Sequence, residues 1–264
     1  MAGDGGAMSF TALVLAGSRG TADPLAMHAG VTDKALIEIA GRSMLARVVA
    51  ALRAAGANRI VASVSSDAVA AHAAALGIET MRGASGPSQS TGEALASLGA
   101  PLLVTTADHA LLQPGWVTRF LADIPADADV AALLAERTII EREVPATRRT
   151  YLRFADGDWS GCNLFYLASP HAASAIALWQ QVEGDRKRPW RIVRRLGPGL
   201  LARYLMRRLK LADAVAALGQ RAGLRASAIS SPFGLAAVDV DKPADLTLVT
   251  QLLAAHSDLR RSAG

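Results

Sequence analysis

The chain has 264 residues, of which 51% are hydrophobic and 19% charged. This length and composition predict a globular protein that forms a full hydrophobic core as a single domain over residues 1–264. The one cysteine, Cys162, excludes a disulfide framework within the chain and favours a reducing compartment. No window approaches the roughly 18 apolar residues of a membrane span, and the initial MAGDGGAMSF lacks the pattern of a secretory signal. We therefore expect a cytoplasmic protein.

The net charge of +5 is concentrated in one segment. Residues 182–211 contain ten basic and two acidic side chains, whereas the rest of the chain has 18 basic and 21 acidic ones. Because the body is slightly acidic, nucleic acid is not an expected partner. The segment favours either a helical flap that reaches the substrate or an amphipathic face, residues 186–210, that lies on an anionic membrane at its inner, cytoplasmic side.

Strands and helices alternate over the first half of the chain. The predicted strands are FTALVLAG, RIVASVS, IETMRG and APLLVTTADH, and the predicted helices are SMLARVVAALRAAG, DAVAAHAAALG, STGEALASLG and PGWVTRFLADI. Ser43 is the expected N-cap of the first helix and Gly56 its terminator. The alternation predicts a three-layer α/β/α sandwich with a mostly parallel, Rossmann-like sheet, whose ligands bind beyond the carboxyl ends of the strands.

The second half has a different pattern. DVAALLAE, TYLRFADGDWSGCNLFYL and GLAAVDVD have the composition of strands without a helix between each pair, which predicts a mixed extension of the sheet. A basic helical insertion, at about residues 182–225, precedes the last predicted strand, and Pro198 and Gly199 should divide its basic part into two helices. PADLTLVTQLLAAH predicts a closing helix.

The segment after the first strand has the composition of a phosphate-binding loop. Glycines allow a tight turn that presents backbone N–H groups to an anion, an arginine can contact phosphate through two N–H groups, and a later lysine supplies a mobile charge. A plain turn fits the same glycine spacing, while the dinucleotide and Walker-type fingerprints are absent. The candidate nucleotide-binding residues are Leu15, Ala16, Gly17, Ser18, Arg19, Gly20 and Lys34.

Carboxylates follow two of the predicted strands. Asp108 ends APLLVTTADH, where it would either hold Mg²⁺ (or Mn²⁺) against substrate phosphates or cap the next helix. Asp239 and Asp241 alternate along GLAAVDVD and are therefore expected on one face of a strand. We favour Asp241 over Asp239 as the second metal ligand.

A second loop is rich in glycine and serine. In GASGPSQSTGEAL the turn into a helix suits backbone recognition of a base and ribose, with Gly86, Ser88, Ser90, Thr91 and Gly92 as candidates. A flexible loop with Ser90 as the helix N-cap fits the same residues.

Taken in order, these motifs resemble one known family. LAGSRG followed by DKALIEIAGRSML is similar to the first motif of the molybdenum-cofactor guanylyltransferase-like nucleotidyltransferases, although Arg19 comes early and one glycine is missing. TTADHALLQP resembles the family's metal-binding strand end, and DKPADL resembles its closing D-[TK]-P-x-D-L motif. The resemblance implies a glycosyltransferase-A-like fold. It also implies that Asn163, in SGCNLFYL, faces the acceptor, where a structural β-bulge is the alternative.

The resemblance implies a Mg²⁺-dependent reaction in which a nucleoside triphosphate, CTP or GTP, transfers its NMP unit to a phosphorylated or hydroxyl-bearing small molecule. Lys34, Arg19 and Asp108 are the expected catalytic residues, acting by alignment and charge neutralisation. Two alternatives stay open: a glycosyltransferase that uses a sugar nucleotide, and a non-catalytic nucleotide-binding or membrane-adaptor protein. The sequence leaves the oligomeric state undetermined.

Overall fold

The computed structural model describes residues 9–18, 23–145, 147, 149–183, 194 and 197–262. The strands are β1 Phe10–Leu15, β2 Glu38–Ile39, β3 Arg42–Ser43, β4 Ala57–Val64, β5 Glu79–Arg82, β6 Leu102–Thr106, β7 Val130–Glu136, β8 Leu152–Phe154, β9 Gly157–Leu167 and β10 Ala226–Ser231. The α-helices are α1 Pro24–His28, α2 Met44–Ala54, α3 Asp67–Ala75, α4 Pro87–Leu98, α5 Pro114–Asp123, α6 Arg137–Glu143, α7 Ala173–Glu183, α8 Pro198–Leu205, α9 Leu211–Arg221 and α10 Pro243–Ser262.

The main sheet is mixed and mostly parallel, as predicted. Its strand order is β10-β7-β9-β6-β1-β4-β5, with β8 paired to β9. Strands β6, β1, β4 and β5 form a parallel block, and β9 runs antiparallel to both β6 and β7. The carboxyl ends of β1, β4, β5 and β6 therefore meet at one edge, where ligands bind in such sheets.

Alternating side chains of β1 show the three layers. Phe10, Ala12 and Val14 pack into the core that includes α2 and α5, whereas Leu13 packs into the core that includes α4 and α7. Because successive strand residues point to opposite faces, the burial of side chains on both faces of β1 requires helices on both sides. The three-layer prediction is confirmed.

Helix α2 shows how the sequence sets these boundaries. The Ser43 hydroxyl accepts a hydrogen bond from the Ala46 N–H at 3.0 Å, which satisfies one of the free donors of the first turn. Gly56 follows the helix with φ of 93°, a conformation that glycine adopts without strain. Between these ends Leu45, Val48 and Leu52 recur on one face and are fully buried.

The prediction for GLAAVDVD is wrong. Gly234–Ala237 form a 3₁₀ turn, and residues 238–241 are not part of a strand. The Val240 N–H donates to the Asp108 carbonyl at 3.1 Å, so this segment crosses the carboxyl edge of the sheet and does not extend it. The last strand is β10, which precedes this turn and pairs in parallel with β7. Alternation of small apolar and acidic residues does not distinguish a strand from an extended segment of this kind.

The region predicted as a helical insertion contributes helices to the sheet face formed by β7, β8 and β9. Leu200, Leu201 and Tyr204 of α8 pack against a buried cluster that contains Phe154 and Leu209. Helix α8 begins at Pro198, the position at which the sequence predicts a division between two helices. The first predicted helix of the insertion lies largely in residues 184–193 and 195–196, outside the described residues. In the part of the chain that is described, no helix is long and apolar enough to cross a bilayer.

Candidate active site

A cavity of about 480 Å³ opens at the carboxyl ends of β1, β4, β5 and β6. On the β1, β4 and β5 side it is lined by residues 15–18, Ser63, Ser65 and 83–87, with Ser90. On the β6 and β9 side it is lined by residues 106–108, Asn163, Asp239 and Asp241, while Asp23, Pro24 and 33–35 border both. The motifs that the sequence predicts as separate stretches thus share one cavity.

Lys34 joins two of the predicted carboxylates. Its Nζ donates to Asp108 Oδ2 at 2.6 Å and to Asp241 Oδ1 at 2.8 Å. Burial alone lowers the pKa of Lys34, but these two carboxylates outweigh it and raise the pKa well above its usual value. The lysine is therefore a fixed positive charge at the edge of the sheet, and its partners bring residues 207 positions apart together.

Burial raises the pKa of Asp108. The Lys34 ammonium and the Thr106 hydroxyl, which donates to Asp108 Oδ1, oppose the shift, whereas the nearby negative charge of Asp239 adds to it. A carboxylate held in this way gains stability from any further cation that reaches it. Asp108 therefore has the electrostatic setting of a metal or phosphate-transfer site.

Asp239 has different partners. Arg149 donates to its Oδ1, and Asn163 Nδ2 donates to its Oδ2 at 3.0 Å. Burial raises the pKa of Asp239, but the hydrogen bond and charge of Arg149 lower it below its ordinary value overall. Asp241 is more open, with 63% of its side chain exposed and Lys34 as its partner. Both carboxylates face the cavity, although neither lies on a strand.

Asn163 lies at the irregularity in β9. Its φ of 50° is left-handed, which is uncommon for a residue other than glycine. The pairing of β7 with β9 shifts register between Ala132 and Leu134, opposite this residue. The predicted β-bulge and the predicted cavity-facing position are therefore compatible, since the bulge directs the Asn163 amide to Asp239.

The first loop continues the sheet before it turns. The Ala16 N–H donates to the Ser63 carbonyl at 2.9 Å, and the Ser18 N–H donates to Ser65 Oγ at 2.8 Å. Those two amides would bind a phosphate only by giving up these bonds. Arg19 and Gly20, the predicted arginine and second glycine of the loop, lie outside the described residues.

An internal hydrogen bond fixes the conformation of the second loop, residues 83–92. Ser90 Oγ accepts from the Ala84 N–H at 2.9 Å, so this hydroxyl fixes the turn of residues 83–86. Gly83 lies against the end of β4, where a Cβ would meet the Val64 carbonyl oxygen at 3.2 Å. Gly86 and Ser90 line the cavity.

Three of the predicted residues of this loop do not line the cavity. Ser88 and Thr91 are buried, and the Thr91 hydroxyl donates to the Pro87 carbonyl at 2.8 Å. At Gly92 a Cβ would meet Ile176 Cγ2 at 3.1 Å, so this glycine allows α4 to pack closely on α7. The structure brings none of these three into the cavity lining. Helix α4 begins at Pro87, earlier than predicted. Ser88 and Thr91 therefore lie within the helix, on its buried side.

Sequence reasoning missed several polar groups of the site. Asp33, 4% exposed, accepts from Ser66 Oγ at 2.8 Å, and Arg149 reaches Asp239 from the loop before β8. Buried His109 packs on the Trp116 ring, and burial lowers its pKa to about 4, opposed by the negative charge of Asp239. Asp33 directly precedes Lys34 in the first motif, which was the available signal, whereas Arg149 comes from a stretch with several arginines and no motif.

Cys162 is not placed to act as a nucleophile. It is 1% exposed, and burial raises the pKa of its thiol far above its usual value. A neutral, enclosed thiol behaves as a small apolar side chain.

The donor set fits Mg²⁺ bound together with a nucleotide. Within the described ranges, no group of three or more His, Cys, Asp or Glu side chains is arranged to hold a metal ion by itself. Asp108, Asp239 and Asp241 nevertheless face one cavity, together with the Asn163 amide. Mg²⁺ in phosphate-transfer sites is commonly held by one or two carboxylates, and phosphates and water complete its shell. A metal enclosed by protein ligands alone does not fit.

Comparison with known proteins identifies relatives of this chain. Residues 12–228 match the sequence model of the MobA-like NTP transferase domain. A search of curated proteins finds no match. Among solved structures, a hypothetical transferase from Thermus thermophilus is 30% identical, with a TM-score of 0.75, over 90% of this chain and 100% of its own.

More distant structures share the fold. A CMP:2-keto-3-deoxy-manno-octonic acid synthetase complexed with CTP is 17% identical, with a TM-score of 0.57, over 94% of this chain and 100% of its own. A 2-C-methyl-D-erythritol 4-phosphate cytidylyltransferase, also from Thermus thermophilus, is 14% identical, with a TM-score of 0.54 and the same coverage.

Proposed function

Because the chain belongs to the MobA-like NTP transferase family and is therefore a nucleotidyltransferase, we propose that it moves the NMP unit of a nucleoside triphosphate to a phosphorylated or hydroxyl-bearing small molecule and releases pyrophosphate. The observation that carries this proposal is the meeting of Lys34, Asp108 and Asp241 beside the first loop. A cation and two carboxylates at one edge of the sheet match what a triphosphate and its metal require.

The cavity has two sides that suit the two substrates. We place the base and ribose against residues 83–87 and the triphosphate between residues 15–18 and Lys34, with Arg19 as a further phosphate contact. The acceptor then lies on the side of Asn163 and Asp108. CTP and GTP are the candidate nucleotides. CTP is tested first, since a distant relative with the same fold is described as complexed with CTP.

Asp108 and Asp241 are the proposed ligands of Mg²⁺ or Mn²⁺. The Lys34 ammonium lies within hydrogen-bond distance of both carboxylates, which marks a position where positive charge is stabilised. Asp241 is preferred to Asp239 as the second ligand, because its side chain is 63% exposed and open to the cavity, whereas Asp239 is held by Arg149 and Asn163. When bound, the metal would neutralise the phosphate oxygens and the pyrophosphate that leaves.

The protein groups align and neutralise, and none of them is required as a nucleophile. An oxygen of the acceptor forms a bond to the α-phosphorus, and the bond from that phosphorus to the β-phosphate oxygen breaks. Lys34 and Arg19 hold charge on the phosphates while this occurs. A phosphate acceptor has no proton to lose, whereas a hydroxyl acceptor would give its proton to water or to a carboxylate of the cavity.

Pyrophosphate release tests this function directly. The purified chain is incubated with Mg²⁺, each of the four common nucleoside triphosphates, and acceptors that carry either a phosphate or only hydroxyl groups. We expect release to require one nucleotide and one acceptor class. Nucleotide binding without release under any pairing would favour a non-catalytic nucleotide-binding protein, and consumption of a sugar nucleotide would favour a glycosyltransferase.

A second proposal concerns location. Leu205 and Met206, at the end of α8, are 67% and 56% exposed, while Arg207, Arg208 and Lys210 beside them are also exposed. Apolar side chains surrounded by positive charge suit the surface of an anionic bilayer. We propose that residues 186–210 contact such a surface from the cytoplasmic side. A flap whose arginines reach the acceptor is the alternative.

A further inference from the structure

Asp33 is a buried carboxylate at the border of the cavity, 4% exposed. Its described partners are hydroxyl groups: Ser66 Oγ donates to Oδ2 at 2.8 Å, and Ser18 Oγ donates to Oδ1 at 3.4 Å. Burying a charge is costly unless the protein solvates it, so a buried Asp33 requires these serines to stay in place. The carboxylate and the hydroxyls therefore fix one another.

These serines come from two different strand ends. Ser18 follows β1, whereas Ser65 and Ser66 follow β4. Ser65 Oγ accepts from the Ser18 N–H at 2.8 Å and lies 3.2 Å from Ser18 Oγ. We call Asp33 and these three serines the serine clamp. The clamp joins the first loop and the β4–α3 turn to the segment that carries Lys34.

The carboxylate is not needed to cap the turn that it precedes. Residues 34–36 form one 3₁₀ turn with Asp33 at its N-cap position, but the Asp33 side chain makes no capping hydrogen bond there. The backbone of Asp33 instead supports the turn, since the Leu36 N–H donates to the Asp33 carbonyl at 3.0 Å. The Asp33 side chain is thus committed to the clamp while its main chain starts the turn at Lys34.

We propose that Asp33 is a positioning residue for the nucleotide site: the serine clamp ties Asp33 to the first loop and the β4–α3 turn, and thereby sets where the Lys34 ammonium meets the triphosphate. Lys34 reaches Asp108 and Asp241 at 2.6 and 2.8 Å, so its reach depends on where its backbone is held. This inference rests on the proposed nucleotide transfer, because it assigns a task within that same site.

Nucleotide affinity tests the clamp without requiring an acceptor. Dissociation constants of CTP and GTP, each with Mg²⁺, are measured by calorimetry for the wild type, Asp33→Asn and Ser66→Ala. Loss of a hydrogen bond to a charged group should weaken binding at least about tenfold in Asp33→Asn, and loss of the hydroxyl roughly threefold in Ser66→Ala. Asp67→Asn, an exposed carboxylate next to Ser66, should bind like the wild type.

A double mutant distinguishes positioning from general damage. If Asp33 acts through Lys34, then Asp33→Asn should weaken binding much less in a Lys34→Met background than in the wild type. Wild-type affinity in Asp33→Asn, or an equal loss in both backgrounds, would overturn the proposal. Should Asp33→Asn fail to fold, Ser66→Ala decides, and unchanged affinity in that variant overturns it. A wild-type chain that binds neither nucleotide would instead contradict the proposed function, and the clamp with it.

Discussion

At the scale of single residues, Asp108 is the most informative substitution. Asp108→Asn keeps the size of the side chain but removes the charge that faces Lys34 and the cavity. We expect the variant to fold and to retain less than about a tenth of the wild-type kcat, a loss above ~1.4 kcal/mol in the barrier. Steady-state pyrophosphate release over a Mg²⁺ titration measures this.

A carboxylate away from the cavity provides the control for Asp108. Asp123, at the end of α5, pairs with Arg119 on the same helix, so Asp123→Asn should leave kcat unchanged. If Asp108→Asn keeps more than a tenth of kcat at saturating Mg²⁺, Asp108 does not hold the metal.

Lys34 should affect turnover more than substrate binding. Lys34→Met removes the positive charge and leaves Asp108 and Asp241 without their shared cation. Because charge on the phosphates increases as the bond breaks, we expect kcat to fall by about 100-fold, with a smaller rise in KM for the nucleotide. Initial rates over a range of nucleotide concentrations separate the two constants.

A charge-preserving variant and a control lysine test the interpretation of Lys34→Met. Lys34→Arg keeps the charge and should recover part of kcat, while Lys242→Met, at a lysine half exposed beside Asp245, should behave as the wild type. An increase in KM with an unchanged kcat would show that Lys34 binds the ground state only.

Residue types showed where the chemistry lies but not how side chains pair. Lys34, Asp108 and Asp241 all line the cavity, as strand-end and loop residues of a parallel sheet should. That one lysine would bind both carboxylates depends on a contact across 207 positions, which no local pattern records. The same holds for Arg149 and Asp239, which lie 90 positions apart.

At the scale of elements, the 3₁₀ turn Gly234–Ala237 leads into the segment with Asp239 and Asp241. Gly234 packs so closely on α6 that a Cβ would meet the Ile139 carbonyl oxygen at 2.5 Å and Ile140 Cα at 2.8 Å. Its N–H also donates to Glu143 Oε2 at 2.7 Å. We infer that the packing of Gly234 on α6 fixes where residues 238–241, which contain Asp239 and Asp241, begin.

Gly234→Ala should therefore move the turn away from α6. Overpacking against backbone atoms lowers the free energy of unfolding by about 1–3 kcal/mol. For a chain of this size that corresponds to a decrease in Tm of roughly 5 °C. Activity should fall as well, because Asp239 and Asp241 follow the turn. Thermal unfolding followed by circular dichroism, together with the pyrophosphate assay, measures both effects.

Gly115→Ala is the matched control for Gly234→Ala. Gly115 lies in the first turn of α5 with no atom within 4 Å of an added Cβ, so Tm should stay the same or rise slightly. Equal Tm values for Gly234→Ala and the wild type would show that the turn is not held by this close approach.

Helices and strands were predicted best where several local sequence signals agreed. Helix α2 has a serine cap, an apolar face and a terminal glycine, and all three are present in the structure. GLAAVDVD was assigned as a strand because its residues alternate, but Gly234 fits where no other residue would, and that reason lies in α6. The predicted start of α4 is three residues late because Ser90 has the residue type of an N-cap. Pro87 occupies the first turn of the helix instead, where proline is favoured.

At the scale of the whole molecule, charge and burial are distributed unevenly. The slightly acidic body contains the cavity, while the basic segment of residues 182–211 packs its apolar side chains Leu201 and Tyr204 onto the sheet. Leu205 and Met206 remain outside that contact. The apolar side chains in and just after α8 are therefore divided between the core and the surface. The sequence could not show this division, because it depends on how far the sheet extends beneath the helix.

The exposed Leu205 and Met206 lead to a prediction about membranes. Vesicles that contain phosphatidylglycerol should sediment the protein at low salt, and vesicles of phosphatidylcholine alone should not, because attraction to the basic segment requires anionic lipid. Raising the salt concentration should release the protein, since screening weakens exposed charges. Replacing Leu205 and Met206 by serine should reduce sedimentation. Met27→Ser, at a methionine 66% exposed on α1, is the matched control and should not.

The alternative role of the segment gives a different result in the same preparation. A substrate flap would leave the protein in solution with anionic vesicles even at low salt, and it would place arginines near the acceptor. In that case Arg194→Ala should raise KM for the acceptor while KM for the nucleotide stays constant, and the Leu205 and Met206 variant should be fully active without lipid. Sedimentation with anionic vesicles that depends on those two side chains, with both KM values unchanged in Arg194→Ala, would instead assign the segment to the membrane.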